Sequence, residues 1–256
     1  MKIGYRLRTL AFIAGFVVIA PLAALVIKTP WGHLFNNFSD LSAVKLSLWT
    51  SSLATLLALL LGVPLAWVLA KSSKNIVSVI RPLILAPIVL PPTVAGLALL
   101  ALFGRSGVLG KPFYNLTGIS LPFTSVAVVL SGLFVALPFV VLICESSFLN
   151  LPREIEDAAV IDRVSGGELF AKIVIPQSFN TIITAGLLAW ARAIGEFGAT
   201  LMFAGSFPNT TQTWPMYIYQ QLDVDVDSAY SYAILMLVVA ISIVFILRKQ
   251  LRATFR

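Results

Sequence analysis

Apolar residues in this 256-residue chain gather in long unbroken runs, without the alternation or the three-to-four-residue rhythm of half-buried elements. Five runs carry no charge: Leu10–Ile27, Leu46–Ala70, Pro82–Phe103, Phe123–Cys144 and Ala229–Leu247. A sixth, Pro176–Gly205, is interrupted only by Arg192 and Glu196. About 20 mainly apolar residues carry a helix across the hydrocarbon core of a bilayer, so the pattern predicts six transmembrane helices. The period-two pattern of outer-membrane strands is absent. The expected class is all-α, a polytopic membrane protein with one transmembrane domain over residues 1–256. Lys2, Arg6 and Arg8 before the first run resemble the start of a signal peptide. That run has 18 residues and no small-x-small cleavage site before Lys28, so a retained first span is expected.

Composition sharpens this picture. The chain is 59% hydrophobic and 11% charged, with a mean hydropathy of +0.95, whereas a soluble domain carries about 25% charged residues. Too few polar side chains exist to clothe a water-facing surface, which excludes a soluble enzyme, and the hydrophobicity excludes disorder. Single Cys144 and single His33 exclude a disulfide scaffold and any metal site built on several cysteines or histidines. The net charge of +7 reads as topology. Thirteen of the 18 basic residues fall at the termini, in the second and fourth connections, and beside Arg248. Lys28, Lys45, Arg105 and Lys111 fall on the opposite side. The positive-inside rule then places both termini in the cytoplasm, and no nucleic-acid partner is expected.

Within the third run, Leu85-Ala-Pro-Ile-Val-Leu-Pro-Pro-Thr93 predicts a kinked or partly unwound helix. Its two readings are a packing solution and a helix that shapes a pathway. Residues 150–175, between the fourth and fifth spans, are too polar to insert yet strongly patterned. Pro152 suits a first helical turn, with Glu154, Glu156 and Asp157 where negative charge is favoured. Ile155, Ala158, Ala159 and Asp162 share one face. Ser165-Gly-Gly-Glu168 has the form of a capping box that opens a second short helix. The result is a helix–turn–helix on the cytoplasmic membrane face with five acidic and three basic residues. Amphipathic helices that rest on lipid favour Lys and Arg. This net acidic segment with small alanines therefore fits a protein partner better than headgroups.

Glu156-Asp-Ala-Ala-Val-Ile-Asp162, with Ile173, Ile175 and Pro176 downstream, resembles the motif E-A-A-x-x-x-G followed by I-x-L-P of ABC-importer permeases. Asp157, Ala158 and Ala159 take the E-A-A places, and Arg163 stands where the family usually has Gly. The bend thus falls at Arg163 or a few residues on, at Gly166 and Gly167. Ala191-Arg-Ala-Ile-Gly-Glu-Phe-Gly-Ala-Thr-Leu-Met-Phe-Ala-Gly205, with Thr211-Gln-Thr-Trp-Pro215, resembles the fifth-span signature of molybdate-type permeases, relatives of tungstate and sulfate permeases. Leu90-Pro-Pro-Thr-Val-Ala-Gly96 and Phe103-Gly-Arg-Ser-Gly-Val-Leu-Gly110 match the same group.

The resemblance implies a type I ABC-importer permease fold in the cell membrane of a prokaryote. It implies a homodimer with two ATP-binding cassette subunits, which bind ATP and magnesium, and an extracytoplasmic substrate-binding protein. No cofactor is expected on this chain. Glu156, Asp157, Ala158, Ala159, Ile161, Asp162 and Arg163 would couple to the ATPase. The implied function is import of a tetrahedral oxyanion, molybdate or tungstate, with sulfate or thiosulfate as the alternative.

Charges within a span must face the bundle interior or water. Arg192 and Glu196, four apart, can form a self-neutralised structural pair or a polar element of a translocation path or gate, together with Ala199 and Thr200. Ala191, Gly195 and Ala199 form a small-residue stripe suited to a subunit interface. Glu145 is expected to reach water at the end of span four. Asp223, Asp225 and Asp227 resemble the start of an EF-hand loop, but Ser228 replaces its Gly and Ile234 its bidentate Glu, so calcium is not expected. Gly110-Lys111 lacks the remainder of a phosphate-binding loop, so any nucleotide is hydrolysed elsewhere. An ion-coupled secondary transporter would need internal repeats and further midplane ionisable groups, which are not found. An intramembrane enzyme would need a nucleophile–base pair, also not found.

Overall fold

A computed structural model describes residues 5–34, 37, 38, 40–152, 154 and 163–254. Helix α1 (Tyr5–Lys28) is followed by a 3-10 turn (Trp31–His33) and α2 (Ser42–Lys71). Next come α3 (Lys74–Val89), α4 (Pro92–Phe103), α5 (Gly110–Thr117) and α6 (Ser125–Leu149). Beyond residue 163 lie α7 (Gly166–Leu169), a π-helical turn (Phe170–Val174) and α8 (Ile175–Gln177). The chain continues through α9 (Phe179–Ile194), α10 (Gly198–Ala204), α11 (Trp214–Val224) and α12 (Val226–Thr254). No strand occurs among the described residues. Helices α1, α2, α6 and α12 are each long and apolar enough to cross a bilayer, and two bent pairs raise the number to six if each is one span.

The third predicted span is one of those bent pairs. Its halves, α3 and α4, meet at 118°. Leu90 (φ −67°, ψ 135°) and Pro91 (φ −54°, ψ 136°) are extended, as residues that precede proline are forced to be, and Pro92 restarts the helix. The run Pro176–Gly205, expected as one continuous span, is divided twice. Ser178 (φ −94°, ψ 8°) sets a 77° bend between the Gly166–Gln177 arm and α9. Residues 195–197 then separate α9 from α10. Thirty residues exceed the bilayer's requirement of about 20, and the surplus is spent on these joints.

Two compact units form, residues 1–41 with 217–242 and residues 42–216 with 243–256. In the first, α1 is exposed along almost its whole length, as suits a helix solvated by lipid. Tyr232, fully buried, donates its hydroxyl to the Asp40 carbonyl (2.5 Å) and packs edge-on against Phe38. Asn37 donates to Ser231 Oγ at 3.0 Å.

In the second unit, α2, α6 and α9 enclose a core of small residues, with Ala54, Ala58, Ala66, Ala136, Ala185 and Ala189 all fully buried. Between helices already in lipid, association depends on close van der Waals approach, which small residues allow. A Cβ on Gly132 would sit 3.0 Å from Ala54 Cβ. Half-helices α4 and α10 approach still more closely. A Cβ on Gly96 would lie 2.4 Å from Met202 Cβ, and one on Gly198 2.4 Å from Pro92 Cβ.

Candidate functional site

Of the expected coupling residues, Glu156, Asp157, Ala158, Ala159, Ile161 and Asp162 lie outside the described residues. Arg163 does not, and its φ of 54° is left-handed. Gly166 and Gly167 are helical in α7. The capping box is present as expected. Ser165 Oγ accepts from Glu168 N (3.3 Å), and a Glu168 carboxylate oxygen accepts from Ser165 N (3.3 Å). Lys172 adds a 3.1 Å ion pair one turn on. The hydrogen bond from Lys172, then those from Ser165, hold the Glu168 carboxyl below the ordinary glutamate range.

The joint between α9 and α10 brings the four predicted pathway residues together. Arg192 Nη2 lies 2.5 Å from Glu196 Oε2, with side chains 34% and 3% exposed respectively. The other carboxylate oxygen accepts the backbone N–H of Ala199 at 2.9 Å, so Glu196 also caps α10. Thr200 and Glu196 line a buried polar cavity of about 10 Å³ with Ser47, Thr50, Ser51 and Thr213. That is room for about one water. Thr213 Oγ1 is buried there with no hydrogen-bond partner among the described residues. Ala199 is fully buried within the chain, and the break at Gly195 interrupts the expected stripe from Ala191 through Gly195 to Ala199. The stripe therefore does not form one continuous face.

Glu145 departs from expectation. It is 3% exposed and accepts from Arg81 of α3 through Nε (3.1 and 3.2 Å) and Nη2. Pairing with a cation across helices, and not water, compensates its burial. Its partner lies 64 residues away, so no local pattern could have identified it. Nearby, a cleft of about 740 Å³ opens where α6 ends and α9 begins, lined by Ser146, Ser147, Asn150, Gln177, Ser178 and Thr181 among others. Its described lining carries no ionisable side chain. Asp225 is not arranged for a cation. It accepts from Ser228 Oγ (2.6 Å) and from the N–H groups of Asp227 and Ser228, capping α12. No group of three or more His, Cys, Asp or Glu side chains able to hold a metal occurs among the described residues.

A family profile described as the inner membrane component of binding-protein-dependent transport systems matches residues 58–256. The chain belongs to that family. This permease is 41% identical over 213 residues to the "Molybdenum transport system permease protein ModB" of Mycobacterium tuberculosis, covering 82% of the chain and 80% of the relative. It is 32% identical over 215 residues to the "Probable sulfate transport system permease protein cysT" of Chlorokybus atmophyticus, covering 81% and 74% respectively. Among solved structures it resembles a bacterial alginate ABC transporter in complex with an alginate pentasaccharide-bound periplasmic protein. The TM-score is 0.73 at 16% identity, over 94% of this chain and 91% of that one. The fold is that of a type I ABC-importer permease, and the permease is a multi-pass inner membrane protein.

Proposed function

We propose that this permease imports molybdate or tungstate as the membrane-spanning subunit of an ATP-driven complex. The observation that carries the reading is the 41% identity to a molybdenum transport permease across 82% of the chain. Two copies form the path, two ATP-binding cassette subunits bind ATP and magnesium inside, and a substrate-binding protein delivers the ion outside. The solved transporter of the same fold, captured with its periplasmic protein, supports such partners. Both termini face the cytoplasm, in keeping with the distribution of Lys and Arg.

In this reading the segment from Glu156 to Arg163 sits in a groove on the ATPase. Closure of the two ATPases draws the two hairpins together and tilts the spans to open outward. The Arg192–Glu196 joint, with Ala199 and Thr200, is the flexible element at the gate. Glu196 keeps its carboxylate neutralised by Arg192, so it presents little net charge to a passing anion. The cleft beside Ser178, mainly apolar with hydroxyl and amide groups as its polar lining, is suited to release of the ion into the cytoplasm. Neutral donors hold an oxyanion weakly enough to let it leave.

The test is uptake into proteoliposomes that contain the permease, its ATPase and its binding protein, with labelled molybdate, tungstate and sulfate in competition. Molybdate or tungstate is expected to suppress uptake of the others. The 32% identity to a sulfate permease makes preferential sulfate uptake the outcome that would reassign the substrate.

A further inference from the structure

The Gly166–Gln177 arm is held to the helix bundle by an aromatic contact remote in sequence. Phe170 projects from the π-helical turn that follows α7. Its ring stacks on Trp67, in the last turns of α2, with centroids 5.9 Å apart and planes at 27°. It meets Phe148, in the last turn of α6, edge-on at 6.4 Å and 81°. Trp67 and Phe148 close the triangle at 5.7 Å and 86°. Phe148 is 1% exposed, and Lys71 Nζ covers the open side of Trp67 at 4.7 Å from the ring. Val174, 1% exposed, joins the same core from the far end of the π-helical turn.

Glu168 and Lys172 pair on the exposed side of the arm, away from the bundle. Toward α9 the chain passes the 77° bend at Ser178. A bend of that size transmits force poorly along its axis. The three rings, by contrast, interlock α2, α6 and the hairpin arm at one point, and edge-to-face packing resists sliding. The π-helical turn supplies the geometry, since insertions of this kind recur at functional positions in helices.

We infer that Phe170, clasped by Trp67 and Phe148, is a positioning residue that transmits movement of the cytoplasmic hairpin to spans two and four. The inference rests on the ATP-driven reading above and adds the residue through which the motor reaches the path. It is tested with the complete reconstituted complex, by measuring molybdate imported per ATP hydrolysed together with binding-protein-stimulated hydrolysis. Phe170→Ala is expected to retain stimulated hydrolysis within about twofold while import per ATP falls about tenfold. Phe170→Tyr is expected to restore most of the coupling. Hydrolysis and import falling in proportion, or neither changing, would overturn the inference.

A second variant guards against misfolding. In a Cys144→Ala background, Trp67→Cys with Phe170→Cys is measured before and after a short bifunctional thiol reagent. The open form is expected to be uncoupled, and the bridged form to regain import per ATP. An open form as well coupled as the parent, or a bridged form that stays uncoupled, would contradict the clasp. A parent complex that imports nothing with ATP present would instead overturn the functional reading, and the inference with it.

Discussion

Arg163 adopts the left-handed backbone conformation three residues before α7. A side chain with a β-carbon costs about 1–2 kcal/mol there, and glycine avoids that cost. Arg163→Gly is therefore expected to stabilise the turn by about 1 kcal/mol, seen as slower amide exchange in α7, whereas Arg163→Val should accelerate exchange. Faster exchange in the glycine variant would contradict the left-handed turn. The Arg192–Glu196 pair carries a different residue-scale prediction, because its burial is unequal. Removing Arg192 strands a buried carboxylate, while removing Glu196 leaves a guanidinium that is already one-third exposed. Arg192→Met is expected to cost about 3–5 kcal/mol, and Glu196→Gln distinctly less. Denaturation of the purified permease checks the order, and a larger loss for Glu196→Gln would contradict it.

At the scale of elements, the closest approach is between half-helices α4 and α10. Gly96→Ala would drive its methyl into Met202 and toward the Ala199 carbonyl, 3.0 Å away. Overpacking of this kind costs about 1–3 kcal/mol. A lowered melting temperature is expected from Gly96→Ala, and none from Gly15→Ala, which meets no neighbour within 4 Å of its Cβ. The capping box that opens α7 has a pH signature. Its Glu168 carboxyl is held below the ordinary range in the folded hairpin. Its stabilisation is thus present above the unfolded glutamate pKa and is lost as pH falls through the depressed folded value. Amide protection at Leu169 should fade only in that acidic window, and Lys172→Met should weaken the dependence more than Ser165→Ala.

Local signals made some of these elements legible and left others hidden. The proline run announced the break between α3 and α4, and the spacing of Ser165 and Glu168 announced the cap. The α9–α10 joint was masked because the residues on both sides are equally apolar, although a run of 30 residues and Gly195 hinted at a surplus. The Arg81–Glu145 pair and the Phe170 clasp had no local signal, since their partners meet only when separate helices pack.

At the scale of the whole molecule, the permease is a set of apolar helices, and among the described residues two buried carboxylates are each paired with an arginine. Glu196 meets Arg192 at the α9–α10 break, and Glu145 meets Arg81 across helices. Small residues let its described helices approach closely. In the proposed reading the energy for transport comes from a partner ATPase. The most direct test is molybdate uptake into proteoliposomes against a concentration gradient, with the permease and binding protein present and the ATPase subunit either included or omitted. Uphill uptake is expected only with the ATPase and ATP, and Asp157→Arg with Ala159→Arg should abolish both uptake and ATPase retention. Uphill uptake by the permease without the ATPase, or unaltered uptake by the arginine variant, would contradict the account.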